Sequence, residues 1–171
     1  INKPVHEWQL SFDGGDWPTS VAFLGSSRRL AAGNRTGQII VWDLPDTPSD
    51  SQEEDTPPDF APVRRLDGHT NAITGLIATS DGQTLISSSL DRTIRIWNPN
   101  GESSGIDEVT LDSKARERRS RRTPAAEKKA ILEAPGATVE VVESQHSLEG
   151  HNDWVKALGI SADEKRLISG D

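Results

Sequence analysis

The sequence predicts an all-β chain assembled from repeated four-stranded units. Two observations carry this: a repeat with fixed internal spacings, and short β-branched runs parted by turn residues. Three stretches align. The clearest is LDGHTNAITGLIATSDGQTLISSSLDRTIRIWN, from Leu66 to Asn98. An earlier one ends RRLAAGNRTGQIIVWDL, from Arg28 to Leu44, and the last begins LEGHNDWVKALGISADEKRLISGD, from Leu148 to Asp171. Leu30 and Trp42 stand 12 residues apart, as do Leu85 and Trp97. His69 and Leu85 stand 16 apart, as do His151 and Leu167.

Each stretch reads as strands in order. In the middle one, Ile73–Ala78, Thr84–Ser89 and Thr93–Trp97 are short and rich in β-branched residues. Ser80-Asp81-Gly82-Gln83 has hairpin-turn composition, and Ala162-Asp163-Glu164-Lys165 holds the same place in the last stretch. Leu90-Asp91-Arg92 makes the next turn. A fourth strand, Val63–Asp67 or Ser147–Glu149, leads into each Gly-His pair.

Gly68-His69, the turn residue Asp91 and Trp97-Asn98 resemble one repeat of the WD40 family. Gly150-His151 in the third unit and Trp42-Asp43 in the first are similar. The resemblance implies a β-propeller with one four-stranded antiparallel blade per repeat, the outer strand of each blade coming from the start of the next. It covers nearly all of the chain except two insertions. It also implies a hydrogen-bonded network in each blade: His69, Ser87 (or Ser89), Asp91 and Trp97 in the middle repeat, and His151 with Ser169 in the third. The first repeat departs, with Gly14, Ala32 and Thr36 at the His, Ser and Asp places, so that only Trp42 remains. In this reading the chain is part of one propeller domain. Repeat 1 spans about 5–44, an acidic Pro-rich insertion 45–62, repeat 2 about 63–98, a basic insertion 99–138, and a truncated repeat 3 about 139–171. A strand of a preceding blade, two blades and the start of a third do not close a ring of 4–8 blades. The remaining blades of a longer chain, or further copies, are expected to complete it.

Both insertions fall between strands c and d, so they are expected on neighbouring blades and one face. The first carries Asp46, Asp50, Glu53, Glu54, Asp55 and Asp59 and no Lys or Arg; the second contains KARERRSRR. They either attract each other, compete with an external partner, or stand as independent solvated loops. Thr123-Pro124 reads as a helix start, which predicts a helix over Pro124–Ala134. Lys114–Arg122 either forms a preceding helix or has no regular structure.

Composition narrows the function. The chain has 171 residues, no Cys and a net charge of −8. Thiol chemistry and thiolate metal sites are excluded, and general nucleic-acid affinity is disfavoured. The basic run lacks the interleaved aromatics that single-strand stacking wants. The four His match no helical metal motif, and no glycine-rich phosphate loop is present. A soluble protein without cofactor, metal, membrane span or catalytic residues is expected, with other proteins as its partners. The leading function is a protein–protein interaction scaffold. The alternative is the accessory propeller of a larger enzyme, signalling or electron-transfer protein, and a third, less favoured reading is nucleic-acid binding through the basic insertion. Repeat alignment picks equivalent positions on the face carrying the d–a and b–c loops: Trp17, Ala72 and Trp154; Thr19, Thr74 and Lys156; Arg35 and Leu90. Tryptophan beside arginine and lysine is the mixture enriched in interface hot spots. The competing reading is that each Trp packs across its blade junction.

Overall fold

The computed structural model describes residues 17–44, 62–109 and 137–171. Among these residues the regular elements are all strands. The first blade is a meander of β1 (Pro18–Phe23), β2 (Arg29–Asn34), β3 (Ile39–Asp43) and β4 (Arg64–Asp67). The second contains β5 (Ile73–Ala78), β6 (Leu85–Ser89) and β7 (Ile94–Trp97). Next come β8 (Gly105–Val109) and β9 (Ala137–Glu143), then β10 (His146–Leu148), which pairs antiparallel with β7 and completes the second blade. The third blade holds β11 (Ala157–Ile160) and β12 (Leu167–Gly170). The outer strands β4 and β10 both come from the start of the following repeat, as the family resemblance implies.

Period-two alternation makes each blade a two-faced slab. In the first blade Ala31, Ile39, Val41 and Leu66 point toward the second, where they meet Ile73, Leu76, Leu85 and Trp97 in one buried cluster. The opposite face of the second blade offers Ile86 and Ile94 to Val155, Leu158, Ile160 and Leu167 of the third. Each fully buried Leu or Ile contributes about 2 kcal/mol. The blades pack closely: a Cβ on Gly33 would lie 2.5 Å from the Ile73 side chain. Only glycine lets β2 approach β5 this way.

The first blade departs from the four-strand expectation. Its sheet has six strands, in the order β1-β2-β3-β4-β9-β8. The chain leaves the second blade after Trp97, crosses to the rim of the first, and forms the antiparallel pair β8–β9 there. β9 then runs parallel to β4, with Arg64 opposite Glu140 and Asp67 opposite Glu143. Gly101–Gly105, a linker by composition, thus leads directly into a strand. Apolar burial explains the docking, since Val142 joins the inter-blade core and Val139 is 1% exposed. Charge adds to it. Arg64 pairs with Glu140 at 2.6 Å and donates to the Pro99 and Gly101 carbonyls. Arg65 bridges Asp67 and Asp107, both at 2.7 Å. These two carboxylates hold the Arg65 guanidinium above its ordinary value against the opposing effect of burial. The expected helix over Pro124–Ala134, the run Lys114–Arg122, most of the acidic insertion and Gly14 lie outside the described residues.

Candidate functional site

Two sites emerge: a buried relay inside the second blade, and a loop cluster at one end of the blades.

The relay begins where the chain enters β5. His69 is brought back over the blade by Gly68, which sits against Arg95 and the Trp97 ring. Trp97 Nε1–H donates to Ser87 Oγ at 2.8 Å. Ser87 Oγ lies 2.7 Å from His69 Nε2, and His69 Nδ1 lies 2.7 Å from Asp91 Oδ2. One proton arrangement satisfies all of them: Ser87 donates to a neutral imidazole, whose Nδ1–H donates to the carboxylate. Asp91 also accepts from Thr93 Oγ1 at 2.7 Å, from the Thr93 amide at 2.9 Å, and from the Thr70 amide at 3.1 Å. Of the two hydroxyls considered, Ser87 is the one in the relay. Ser89 instead accepts the Asp91 amide and donates to the Asn71 carbonyl.

Burial pushes His69 below the ordinary imidazole value, with Asp91 opposing that shift. Burial would raise Asp91, but donors from Thr93, His69 and Thr70 together outweigh it and hold the carboxyl below its ordinary value. A serine, a histidine and an aspartate in this order are also the parts of a nucleophilic triad. Ser87 has no exposed surface, however, and its oxygen already receives the Trp97 N–H.

The other blades show partial versions. His151 Nε2 lies 2.8 Å from Ser169 Oγ, and Asp171 accepts the Asn152 and Asp153 amides. In the first blade Ala32 faces Trp42 from the serine place, and both are buried. There Asn34 organises the b–c turn. Its Oδ1 accepts from the Thr36 amide, the Thr36 hydroxyl and the Gln38 amide at 2.9–3.0 Å. Asn34 was not singled out from the sequence. The signal was its register, because it stands where the second repeat has Ser89.

The loop cluster gathers some of the equivalent positions and separates others. The Leu90 amide donates to the Ala72 carbonyl, and the Val155 amide donates to the Ser89 carbonyl. Leu90 and Ala72, both half-buried, therefore lie beside the loop that carries Trp154. Trp154 is 50% exposed, with Lys156 Nζ 5.2 Å from its ring centroid. Thr74 is turned inward, donating to the Val155 carbonyl at 2.5 Å. Thr19 donates to the Gly33 carbonyl. Trp17, 72% exposed, and the exposed Arg35 stand on the first blade, two blades from Trp154. Among the described residues no group of His, Cys, Asp or Glu could hold a metal ion, and no helix is long and apolar enough to cross a membrane.

The repeat geometry has its counterpart in known proteins. A model of the WD domain, G-beta repeat, matches residues 4–43, 60–98 and 142–171, more than half of the chain. The chain belongs to the WD40 family. It is 33% identical over 82 residues to the small ribosomal subunit protein RACK1 of Neurospora crassa, covering 47% of this chain and 23% of that protein. It is 30% identical over 102 residues to human striatin-4, covering 59% of this chain and 13% of that one. The matched part thus spans about a quarter or less of these WD40 relatives. A chain from the crystal structure of a mitotic checkpoint complex superposes with a TM-score of 0.46 at 18% identity, covering 84% of this chain and 28% of that one.

Proposed function

We propose that this WD40 segment is a non-catalytic protein-interaction module whose docking site lies on the loops of the d–a and b–c end. The observation that carries the reading is Trp154. It is large, half exposed and held in place. Its own amide is fixed by Asp153 Oδ1 at 2.8 Å, and Lys156 lies over its ring. A positioned aromatic beside a cation loses little entropy when a partner covers it, which is why such residues dominate interface energies. Leu90 and Ala72 extend the apolar floor, while Trp17 and Arg35 continue the same end of the molecule onto the first blade. Thr74 and Thr19 act from below, fixing the strands that carry these loops. The relay of His69, Ser87, Asp91 and Trp97 is structural in this reading. It stiffens the b–c turn that presents Leu90. The name of one relative, a small ribosomal subunit protein, places that relative in a larger assembly, which suits a scaffold.

Comparative capture tests this. Wild type and Trp154→Ala, each shown by its melt to be folded, are exposed to the same cell extract, and the proteins retained are quantified. Loss of a specific set of proteins with Trp154→Ala, but not with Lys165→Ala on the opposite end, supports the site. An identical set retained by both would sink it.

A second reading is supported by the match to striatin-4, in which the similar repeats are 13% of that protein. This propeller would then be the accessory module of a larger multidomain chain. Partner capture by the whole chain, persisting when Trp154 is replaced, would favour that alternative.

A further inference from the structure

β4 and β10 are the same strand of successive repeats. Arg64, Arg65, Leu66 and Asp67 correspond to His146, Ser147, Leu148 and Glu149, since both runs precede a Gly-His pair. Their outer edges have different fates. β4 is covered: β9 adds to it in parallel, the Glu140 amide donating to the Val63 carbonyl at 3.2 Å. Leu66 is fully buried, within the core between the first two blades. β10 pairs with β7, and among the described residues no strand pairs with its other edge. All three of its residues are exposed, Leu148 by 41%.

We propose that the outer edge of β10 is a strand-acceptor site for an extended segment of a partner protein. That segment would be added in parallel, as β9 is added to β4, with an apolar residue opposite Leu148 and a basic residue opposite Glu149. Strand addition supplies main-chain hydrogen bonds, and alternate side chains supply selectivity. The charge requirement comes from the two rims. On the first blade, arginines of β4 receive the acidic residues Glu140 and Asp107. On the second, Glu143 and Glu149 bracket β10, both are exposed, and no Lys or Arg stands between them. An acidic strand suits the first rim and a basic one the second. The register names the decisive amide. In the parallel ladder the Arg65 amide faces β9, and Ser147 holds Arg65's place. Bonds alternate sides along a strand, so β7 pairs through the residues flanking Ser147. This site is separate from the Trp154 loops and fails independently of them.

The test is a titration of the ¹⁵N-labelled chain with the peptide Ala-Thr-Val-Thr-Val-Val-Lys, the β9 sequence with its first Glu changed to Thr and its last to Lys. The expected result is shifts centred on the Ser147 amide. Ser147→Pro, which removes an outward donor from an edge strand, weakens binding at least tenfold while leaving the Trp97 indole resonance in place. Replacing the peptide's Lys by Glu weakens binding at least fivefold, and Glu149→Lys restores it. This charge swap reads the same site without touching the backbone, so it decides the matter even if Ser147→Pro unfolds the blade. Shifts confined to β8 or to the Trp154 loops, no shift at millimolar peptide, or a charge swap without effect would overturn the proposal. So would concentration-dependent dimerisation through β10 without peptide binding, which would assign the edge to a second copy of the chain.

Discussion

The first two blades of this chain share the four repeat strands and one inter-blade core, yet they hold their b–c turns by different means. The second uses a relay in which an indole, a hydroxyl, an imidazole and a carboxylate satisfy one another inside the blade. The first uses one amide side chain, Asn34, bonded to three donors of its own turn. The relay reaches from turn to strand c and back to the entry of strand a. The amide solution is local. The family fold therefore depends on a closed turn and a packed face, and the relay is one of two ways to close the turn.

The largest test of this contrast is Asp91→Ala. It removes the acceptor of His69 Nδ1–H and of the Thr93 and Thr70 donors, leaving His69 Nδ1 only the Thr93 hydroxyl at 3.2 Å, inside a blade where Asp91's own side chain is 5% exposed. Unsatisfied buried donors cost about 1–3 kcal/mol. A loss of about 3 kcal/mol is expected for the domain, read by urea unfolding. The matching change in the first blade, Thr36→Ala, removes the hydroxyl bond to Asn34 but leaves the Thr36 and Gln38 amides on Asn34 Oδ1, and a loss below about 1 kcal/mol is expected. Equal losses in the two variants would break the comparison.

Asn34→Ala sharpens it from the other side. Asn34 is 2% exposed, and its removal strands the Thr36 and Gln38 amides. A loss of about 1–2 kcal/mol is expected, with hydrogen exchange quickened at Gln38 while Thr93 in the second blade keeps its protection.

The blades also differ at the rim. Arg64→Ala removes a pair with Glu140 and two bonds to backbone carbonyls from a guanidinium whose side chain is 17% exposed. About 1–2 kcal/mol is expected to be lost, discounted for the half-exposed Glu140. The change should appear as faster exchange along β9 and leave β10 untouched. Faster exchange in β10 to the same degree would mean that the two rims are not independent.

Much of this was legible beforehand, for a physical reason. Side-chain alternation and turn composition repeat from unit to unit, so β1 to β7 and β10 to β12 could be read one against another. The relay residues followed from the family resemblance carried over onto the repeat positions, and the physical sense of the set is that a buried histidine and aspartate need partners. β9 contains the β-branched run Val139–Val142, whose composition is that of a strand, but its partner was not legible. Its parallel seat on β4 depends on Arg64 meeting Glu140 and Arg65 meeting Asp107, pairs with no repeat to align them. The hairpin's first strand was obscured by Gly101–Gly105, whose composition is that of a linker. Asn34 was missed because the repeat names a residue type at each place, and here the work of one place had moved to another.

Acid should separate the blades without mutation. Burial holds His69 below 6.5, the ordinary value. Below about that pH the unfolded chain binds a proton that the folded relay refuses, so the stability present above 6.5 falls as pH drops toward the folded value. Asp91 lies below its ordinary 3.8. Its contribution is present above 3.8 and is lost only as pH falls further, through its folded value. Asn34 does not titrate. Opening free energies from hydrogen exchange, compared between pH 7.5 and 5.5, should fall at Ser89 and Thr93 more than at Asn34 and Gln38. A uniform fall would mean that the blades open together.

The smallest effect concerns the residue after the turn carboxylate. The first blade has Gly37 there, at φ +92°, while the second has Arg92 at φ +72°. A side chain in this left-handed region costs about 1–2 kcal/mol, which glycine avoids at the expense of a more flexible unfolded chain. The Arg92 side chain is exposed, so little packing is lost with it. Arg92→Gly is therefore expected to stabilise by about 0.5 kcal/mol, a rise of about 1–3 °C in Tm. The reverse change in the first blade cannot be mild: a Cβ on Gly37 would lie 2.6 Å from the His69 carbonyl oxygen and 2.8 Å from that of Asn71. Gly37→Ala should destabilise through both strain and collision. The same position thus rewards glycine in one blade and demands it in the other, because in the first blade the turn presses against the entry loop of the second.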